Sequence, residues 1–126
     1  MTKIIGLICV GVLLGVSLAA SADSGVEEIW QCTLKEGKKI ENAMAANTAW
    51  VKWVNTNVAG GGIQSVTATA VVGDMSSFIF IDSFPSLESW AAMKTALESP
   101  EGKKVEAAIN EVVECTENRV YRSTPN

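Results

Sequence analysis

The chain has 126 residues, of which 48% are hydrophobic and 19% are charged, and its formal net charge is −4. This length accommodates one domain, or one domain and a short removable segment. The chain contains no histidine, which excludes Ser-His-Asp and Cys-His catalysis, histidine-dependent zinc or haem ligation, and an imidazole pH switch. Composition alone therefore excludes several classes of enzyme without identifying a ligand.

Residues 1–22 have the three zones of a secretory signal peptide. Lys3 supplies a positive charge, residues 4–18 form an uncharged apolar run, and Ala20-Ser21-Ala22 is a small-x-small cleavage site. A membrane anchor is the alternative, but it needs about twenty apolar residues and a basic flank, whereas acidic residues follow here. We predict cleavage at this site, a periplasmic or secreted mature domain of residues 23–126, and no stable membrane anchor.

Removal of this segment changes the charge and the cysteine count. Because Lys3 is its one charged residue, the net charge changes from −4 to −5. An acidic domain without a basic stripe is a poor candidate for binding nucleic acid or an anionic membrane. Cys9 is lost with the segment, which leaves Cys32 and Cys115. In an oxidising compartment, an even pair of cysteines favours a disulfide.

Hydrophobic periodicity predicts the elements of the mature domain. Alternation favours strands, spacings near 3.6 residues favour helices, and Gly60-Gly61-Gly62 ends the first helix. In that helix, Met44 and Val54 belong to the predicted apolar stripe. Ser86 and the pair Ser99-Pro100 are typical helix starts. The predicted elements are a strand at 27–34, a helix at 38–57, strands at 64–72 and 77–82, a helical region from 86 that restarts at Pro100, and a strand at 113–122.

This order is the split β-α-β arrangement, and it predicts an α+β, ferredoxin-like βαββαβ fold with an antiparallel sheet and helices on one face. The first and last strands are then antiparallel neighbours. A register in which paired residue numbers sum to about 147 sets Cys32 opposite Cys115, where a disulfide can form. The same register predicts Asn118 opposite Ile29 and Val120 opposite Glu27.

Both faces of the predicted sheet carry large apolar side chains. Ile79 and Ile81 point one way along the third strand, and Phe78 and Phe80 point the other way. One layer of helices covers only one face, and a sheet that is apolar on both faces has to be covered on both. A second copy of the chain covers the other face without a second gene product, so we predict a homodimer joined sheet to sheet.

The segments Phe84-Pro85-Ser86-Leu87-Glu88-Ser89-Trp90 and Ser99-Pro100-Glu101-Gly102, with the long first helix and the hairpin, resemble the dimeric α+β barrel superfamily. The similarity is to its antibiotic-biosynthesis-monooxygenase and ethyl-tert-butyl-ether-degradation types. It implies two sheets packed face to face in a homodimer, and a pocket between sheet and helices. The superfamily includes cofactor-free monooxygenases, isomerases and haem-degrading enzymes. The haem-degrading members rely on a histidine, and this chain has none.

Five side chains are candidates for lining that pocket: Asn47, Trp50, Trp53, Trp90 and Asp82. The resemblance implies that Asn and Trp side chains on the first helix hold a phenolic substrate and dioxygen. For the two helix tryptophans we favour the structural alternative, in which they cap the sheet or meet a partner, and for Trp90 a core or interface position. Asp82 is either a buried general base with a raised pKa or, as we favour, a strand-edge residue that binds amides of the following turn.

These features predict a periplasmic or secreted homodimer that binds a small, largely apolar or aromatic molecule or acts as an accessory protein. The first alternative is a cofactor-independent monooxygenase-like enzyme that acts on a small aromatic substrate in the same pocket. The second is a structural dimer without a ligand. We expect no metal site, since no acidic cluster has the spacing of a calcium loop, and no cofactor.

Overall fold

Four strands form one antiparallel sheet in the order β2-β3-β1-β4, and three helices pack on one of its faces. The computed structural model describes residues 25–124, so the predicted signal peptide at 1–22 lies outside them. No helix between residues 25 and 124 is long and apolar enough to cross a membrane. The predicted ferredoxin-like α+β fold is confirmed. Its elements are β1 (Val26–Leu34), α1 (Ile40–Asn57), β2 (Gln64–Thr69), β3 (Phe78–Phe84), α2 (Leu87–Leu97), α3 (Pro100–Asn110) and β4 (Val113–Arg122).

The two predicted helix starts are confirmed by their caps. The Ser86 hydroxyl accepts a hydrogen bond from the Ser89 amide, and the Ser99 hydroxyl accepts one from the Gly102 amide. Gly102 also permits a close approach between two helices, since a Cβ added there would lie 2.5 Å from the Leu97 Cα. The first turn of α3 therefore packs directly on the end of α2, and both helices stay on the same face of the sheet.

The buried stripe of α1 differs from the predicted one. It comprises Ala43, Asn47, Trp50 and Val54, whereas Met44 is 50% exposed. Burial of the Trp50 indole removes more apolar surface from water than burial of Met44 would, so the helix is rotated to place the indole inside. This rotation also directs the amide of Asn47 toward the sheet.

The hairpin is confirmed, but its boundaries move. β2 ends at Thr69, because this is the last residue paired with β3, and Val71 and Val72 lie in the following loop, 85% and 87% exposed. β3 continues past Asp82 because β2 pairs with it as far as Ser83 and β1 as far as Phe84. Asp82 therefore lies inside a central strand.

The predicted disulfide between Cys32 and Cys115 is confirmed, with a Cα–Cα distance of 4.0 Å. The register around it is correct as far as this pair and then shifts by one residue, so that Ile29 lies opposite Arg119, and Glu27 opposite Tyr121. The prediction of Asn118 and Val120 at these positions is wrong. The cause is a β-bulge between Gln31 and Cys32 in the pairing, which leaves Thr116 without a partner.

The bulge exchanges the faces of the residues that follow it on β4. In the unshifted register Asn118 would lie opposite Ile29, on the face away from the helices. In the structure it lies opposite Trp30, on the helix side, because each one-residue shift reverses the side to which a strand's side chains point. The bulge therefore brings an amide side chain under the helices, and it places Arg119 and Tyr121 on the open face.

Reduction of the disulfide should destabilise the fold strongly. The bond closes a sequence separation of 83 residues, and the chain-entropy model assigns such a loop about 4 kcal/mol of unfolding free energy. Chemical denaturation of residues 23–126 with and without reductant measures this loss. Thiol titration of the unfolded, unreduced chain should find no free thiol, and two free thiols there would contradict the assignment.

Candidate functional site

A cavity of about 220 Å³ lies between the helix side of the sheet and all three helices. Strands β1, β3 and β4 form its floor, and α1, α2 and α3 contribute its walls. Most of the wall is apolar, with three aromatic rings. The apolar lining residues are Trp30, Trp50, Phe80, Met93, Leu97 and Ile109.

Glu28 is the most buried charged group of the lining, at 1% exposure. Its carboxylate accepts three hydrogen bonds: from Trp90 Nε1 at 3.0 Å, from Lys94 Nζ at 2.9 Å and from Asn118 Nδ2 at 2.9 Å. A buried carboxylate needs both an opposite charge and hydrogen-bond donors to offset its lost hydration. Glu28 has both, and it thereby ties α2 and the bulged strand β4 to the centre of the sheet.

Lys94 is held between this carboxylate and two indoles. Its ammonium nitrogen lies 5.2 Å from the ring centroid of Trp30 and 5.6 Å from that of Trp90. Both distances lie within the range of a cation–π attraction. Although the Lys94 side chain is 37% exposed, its ammonium group therefore contacts one buried carboxylate and two indole rings.

Asp82, on the same floor, belongs to a second set of hydrogen-bonded polar side chains. It is 4% exposed, and its Oδ1 accepts a hydrogen bond of 2.5 Å from the Ser65 hydroxyl. Ser65 Oγ in turn accepts a hydrogen bond of 2.7 Å from Asn47 Nδ2. The chain of hydrogen bonds joins α1, β2 and β3, and it ends on a carboxyl group that has no cation as a direct partner among residues 25–124.

The pKa of Asp82 is raised from 3.8 to about 6. Burial is the largest cause because it removes water from the ionised form, and the nearby charge of Glu28 acts in the same direction. The hydrogen bond from Ser65 and the charge of Lys94 lower the pKa and offset part of this effect. Asp82 and Glu28 are direct partners in the pairing of β3 and β1. One floor therefore carries a carboxylate paired with an ammonium group and a carboxyl group that titrates near neutral pH.

Asn47, Trp50 and Asp82 are brought together around the cavity. Trp90 lies beside it and contacts Glu28, and Trp53 packs, partly buried, against the core cluster that contains Val54. The turn role that we favoured for Asp82 is wrong, because its carboxyl is buried inside β3 and bonded to Ser65 rather than to amides of a turn. A part in ligand binding stays a prediction for all five residues.

Glu28 and Lys94 are the residues that sequence reasoning missed. Glu28 shares the alternation of Val26, Trp30 and Cys32, so its inward direction was readable once the strand was placed. Its three partners come from α2 and β4, two of them a helical turn apart at positions 90 and 94. Prediction of the ion pair between Lys94 and Glu28 would have required knowledge of how α2 lies on the sheet. Among residues 25–124, no group of three or more Cys, Asp or Glu side chains has an arrangement that holds a metal ion.

Replacement of Asp82 by Asn should stabilise the fold above pH 6. Since the folded-state pKa is raised to about 6 from 3.8, the folded chain binds the Asp82 proton more tightly, and stability falls as the pH rises from about 4 to 6. The variant retains an acceptor for Ser65 but does not ionise. The unfolding free energy of the variant relative to that of the parent should rise by about 2 kcal/mol between pH 4 and 7, because most of the shift of roughly two pKa units is expressed over this range.

Denaturant unfolding at a series of pH values, at one protein concentration, measures this difference. Asp74→Asn is the matched control in the exposed loop, where a side-chain hydrogen bond from Ser76 lowers the pKa of Asp74. Its stability relative to the parent should therefore change in the opposite direction. A pH-independent difference for Asp82→Asn would contradict the raised pKa.

No protein-family model and no curated protein matches the chain, but solved structures do. SnoaB, a cofactor-independent oxygenase from Streptomyces nogalater, is similar with a TM-score of 0.58 at 9% identity, over 82% of this chain and 96% of that chain. A putative antibiotic biosynthesis monooxygenase from Bordetella bronchiseptica is similar with a TM-score of 0.59 at 10% identity, over 82% of this chain and 100% of that chain. Another protein of that description, from Chloroflexus aurantiacus, has a TM-score of 0.53 at 16% identity, over 82% of this chain and 96% of that chain.

Likeness at these identities concerns the fold. The neighbours include three proteins described as putative antibiotic biosynthesis monooxygenases. The resemblance predicted from the residues is therefore confirmed at the level of the fold: the chain has a ferredoxin-like α+β fold similar to that of these neighbours.

Proposed function

We propose that the chain is an exported, homodimeric protein that binds a small, largely apolar or aromatic molecule in the cavity between its sheet and helices. The observation that carries this proposal is Asp82. A buried carboxyl whose pKa is raised to about 6 destabilises the fold at neutral pH, and within residues 25–124 it makes no ion pair that would offset this. Groups with strongly perturbed pKa values that line a cavity are typical of functional sites.

The dimensions of the cavity support a ligand with one ring. An engineered apolar cavity of about 150 Å³ takes up benzene, so the 220 Å³ here accommodates a ring with a short substituent. Trp30, Trp50 and Phe80 provide flat apolar walls. Asp82 lies on the floor and Asn47 on the α1 wall, where both can contact a polar group of the ligand. The proposed ligand is thus apolar over most of its surface and polar at one end.

Export of the chain fits the same proposal. The segment 1–22 has the zones of a signal peptide, and the Cys32–Cys115 disulfide is typical of oxidising compartments such as the periplasm. A binding protein in that compartment meets its ligand outside the cytoplasm. Protein purified from its native host should then have its N-terminus near Asp23.

Ligand retention in a pair of α3 variants tests the binding function. Ile109→Trp fills the cavity from its α3 wall, whereas Ala108→Trp places the same indole on the exposed side of that helix. Native mass spectrometry of freshly purified chains should show a bound small molecule on the parent and on Ala108→Trp, and none on Ile109→Trp. Equal ligand occupancy in all three chains would contradict binding in this cavity.

A cofactor-independent monooxygenase-like enzyme is the second candidate. One fold neighbour is described as a cofactor-independent oxygenase, and Asp82 has a pKa suited to a general base. In this reading, Asp82 accepts the proton of a phenolic substrate before the substrate reacts with dioxygen. Oxygen uptake with a panel of phenols and hydroquinones, rising with pH around 6 and lost in Asp82→Asn, would favour the enzyme over the binding protein.

The open face of the sheet supports the homodimer. Ile29, Ile79 and Ile81 lie on it half-buried, and Val66 and Tyr121 are 56% and 44% exposed. Monomeric proteins rarely leave a contiguous apolar patch of this kind in water. A two-fold partner that presents the same sheet covers it with the same residues.

A charge in the centre of the open face should separate the subunits. In Ile79→Asp the carboxylate would be buried without a partner in the dimer but hydrated in a monomer, so we expect a folded monomer by sedimentation equilibrium and circular dichroism. Val71→Asp is the matched control in the exposed 70–77 loop and should remain a dimer. Phe80→Asp, which places the charge among the helices, should unfold the chain. A folded monomer of the unmodified residues 23–126 at micromolar concentration would overturn the dimer.

A further inference from the structure

We infer that the ligand of the cavity carries a positive charge, and that it is a small aromatic or apolar amine whose ammonium group is bound by the carboxylate of Asp82. This inference rests on the proposed binding function and adds the chemical class of the ligand. It follows from the charges, the hydrogen bonds and the aromatic rings of the cavity lining.

The charges of the lining do not balance. Glu28 and Lys94 form an ion pair of 2.9 Å and neutralise each other. Glu106 on α3 and Asp82 on β3 also line the cavity, and among residues 25–124 Lys94 is the one lining residue with a positive charge. Glu106 is exposed, so water screens its charge. The buried Asp82 carboxylate, which has no ion pair among residues 25–124, therefore gives the cavity a negative potential that favours a cation over a neutral molecule and disfavours an anion.

Lys94 is not free to bind an anionic ligand. Its ammonium group contacts Glu28, which is 1% exposed, and lies over the rings of Trp30 and Trp90. An anion that drew Lys94 away would leave a buried carboxylate without its opposite charge, which is strongly unfavourable. The ion pair thus makes Lys94 a weaker site for an anionic ligand than an unpaired lysine would be.

Asp82 is the anion placed to receive an ammonium group. Its carboxyl is 4% exposed, lines the cavity and receives its hydrogen bond from a neutral hydroxyl, that of Ser65. A hydrogen bond between two ionised groups is stronger than one between neutral groups, particularly where water is excluded. A bound ammonium group would also supply the opposite charge that the buried carboxylate lacks.

The walls suit the remainder of such a ligand. Trp30, Trp50 and Phe80 expose ring surface to the cavity, and aromatic faces attract cations as well as apolar groups. The structure already uses this attraction for the ammonium group of Lys94. An amine with one ring and a short chain fills the volume while its charge stays beside carboxylate and aromatic groups.

Binding of the amine should depend on pH through the ionisation of Asp82. The charged groups of the surrounding elements are Glu28 on β1, Lys94 on α2 and Glu106 on α3, while α1 and β2 contribute the neutral Asn47 and Ser65. With a pKa of about 6, Asp82 is about one-tenth ionised at pH 5 and almost fully ionised at pH 7.5. An alkylammonium group remains protonated over this range, as lysine does.

Three probes of similar size and different charge test the inference by titration calorimetry on residues 23–126. They are 2-phenylethylamine, 2-phenylethanol and phenylacetate. At pH 7.5 the amine should bind about tenfold more tightly than the alcohol, the difference between a charge-assisted and a neutral hydrogen bond, and phenylacetate should bind most weakly. At pH 5 the affinity for the amine should fall about tenfold, whereas that for the alcohol should not change.

Asp82→Asn should reduce the affinity for the amine to that for the alcohol and remove its pH dependence, and Asp74→Asn should behave as the parent. Equal binding of amine and alcohol by the parent, or tighter binding of phenylacetate, would overturn the inference but leave the binding function intact. If the parent bound none of the three probes, both the inference and the proposed binding function would be overturned. Asp82→Asn retains the acceptor for Ser65, and its thermal unfolding at each pH verifies that the titrations report on a folded chain.

Discussion

Two carboxyl groups lie directly opposite each other on the central strands β1 and β3, on the side that the helices cover. Glu28 and Asp82 are partners in the strand pairing and are 1% and 4% exposed. Two carboxylates in such a place repel each other, so the one with fewer compensating partners has the higher pKa. Glu28 receives an ammonium group and two neutral donors, whereas Asp82 receives one hydroxyl. This unequal compensation gives the cavity its charge and its titratable group.

Several features of the fold serve that arrangement. The β-bulge directs Asn118 to the helix side, where it bonds Glu28, and the disulfide lies directly beside the bulge. The capped start of α2 positions Trp90 and Lys94 over β1, and the rotation of α1 that buries Trp50 also brings Asn47 to Ser65. The polar groups of the floor therefore link the helices to the sheet and neighbouring strands to one another.

The fold was predictable because its elements are strongly patterned. Alternation identified the strands, the two serine caps located the helix starts, and the order of the elements placed the first strand beside the last, with Cys32 opposite Cys115. The one-residue register shift was not predictable, because Thr116 carries no signal that distinguishes a bulge from a regular strand. The hairpin boundaries were also wrong, since Val71 and Val72 continue the alternation although no strand is left for them to pair with.

The candidate site was predictable only in part. Asn47, Trp50 and Asp82 follow from residue type and position, but the environment of Asp82 depends on Glu28, which faces it from a strand more than fifty residues away in sequence. The favoured turn role failed because strand β3 extends past Asp82, a tertiary effect of pairing on both sides. Local pattern identifies the ionisable residue, whereas the pairing of strands determines its chemistry.

The titration of the Asp82 side chain, followed by the ¹³Cγ chemical shift in NMR spectra of residues 23–126, tests the central claim most directly. The account predicts a midpoint near pH 6 in the free protein, and a lower midpoint when 2-phenylethylamine is bound, since an ammonium group favours the ionised carboxylate. A midpoint near the ordinary aspartate value of 3.8 in the free protein would contradict it.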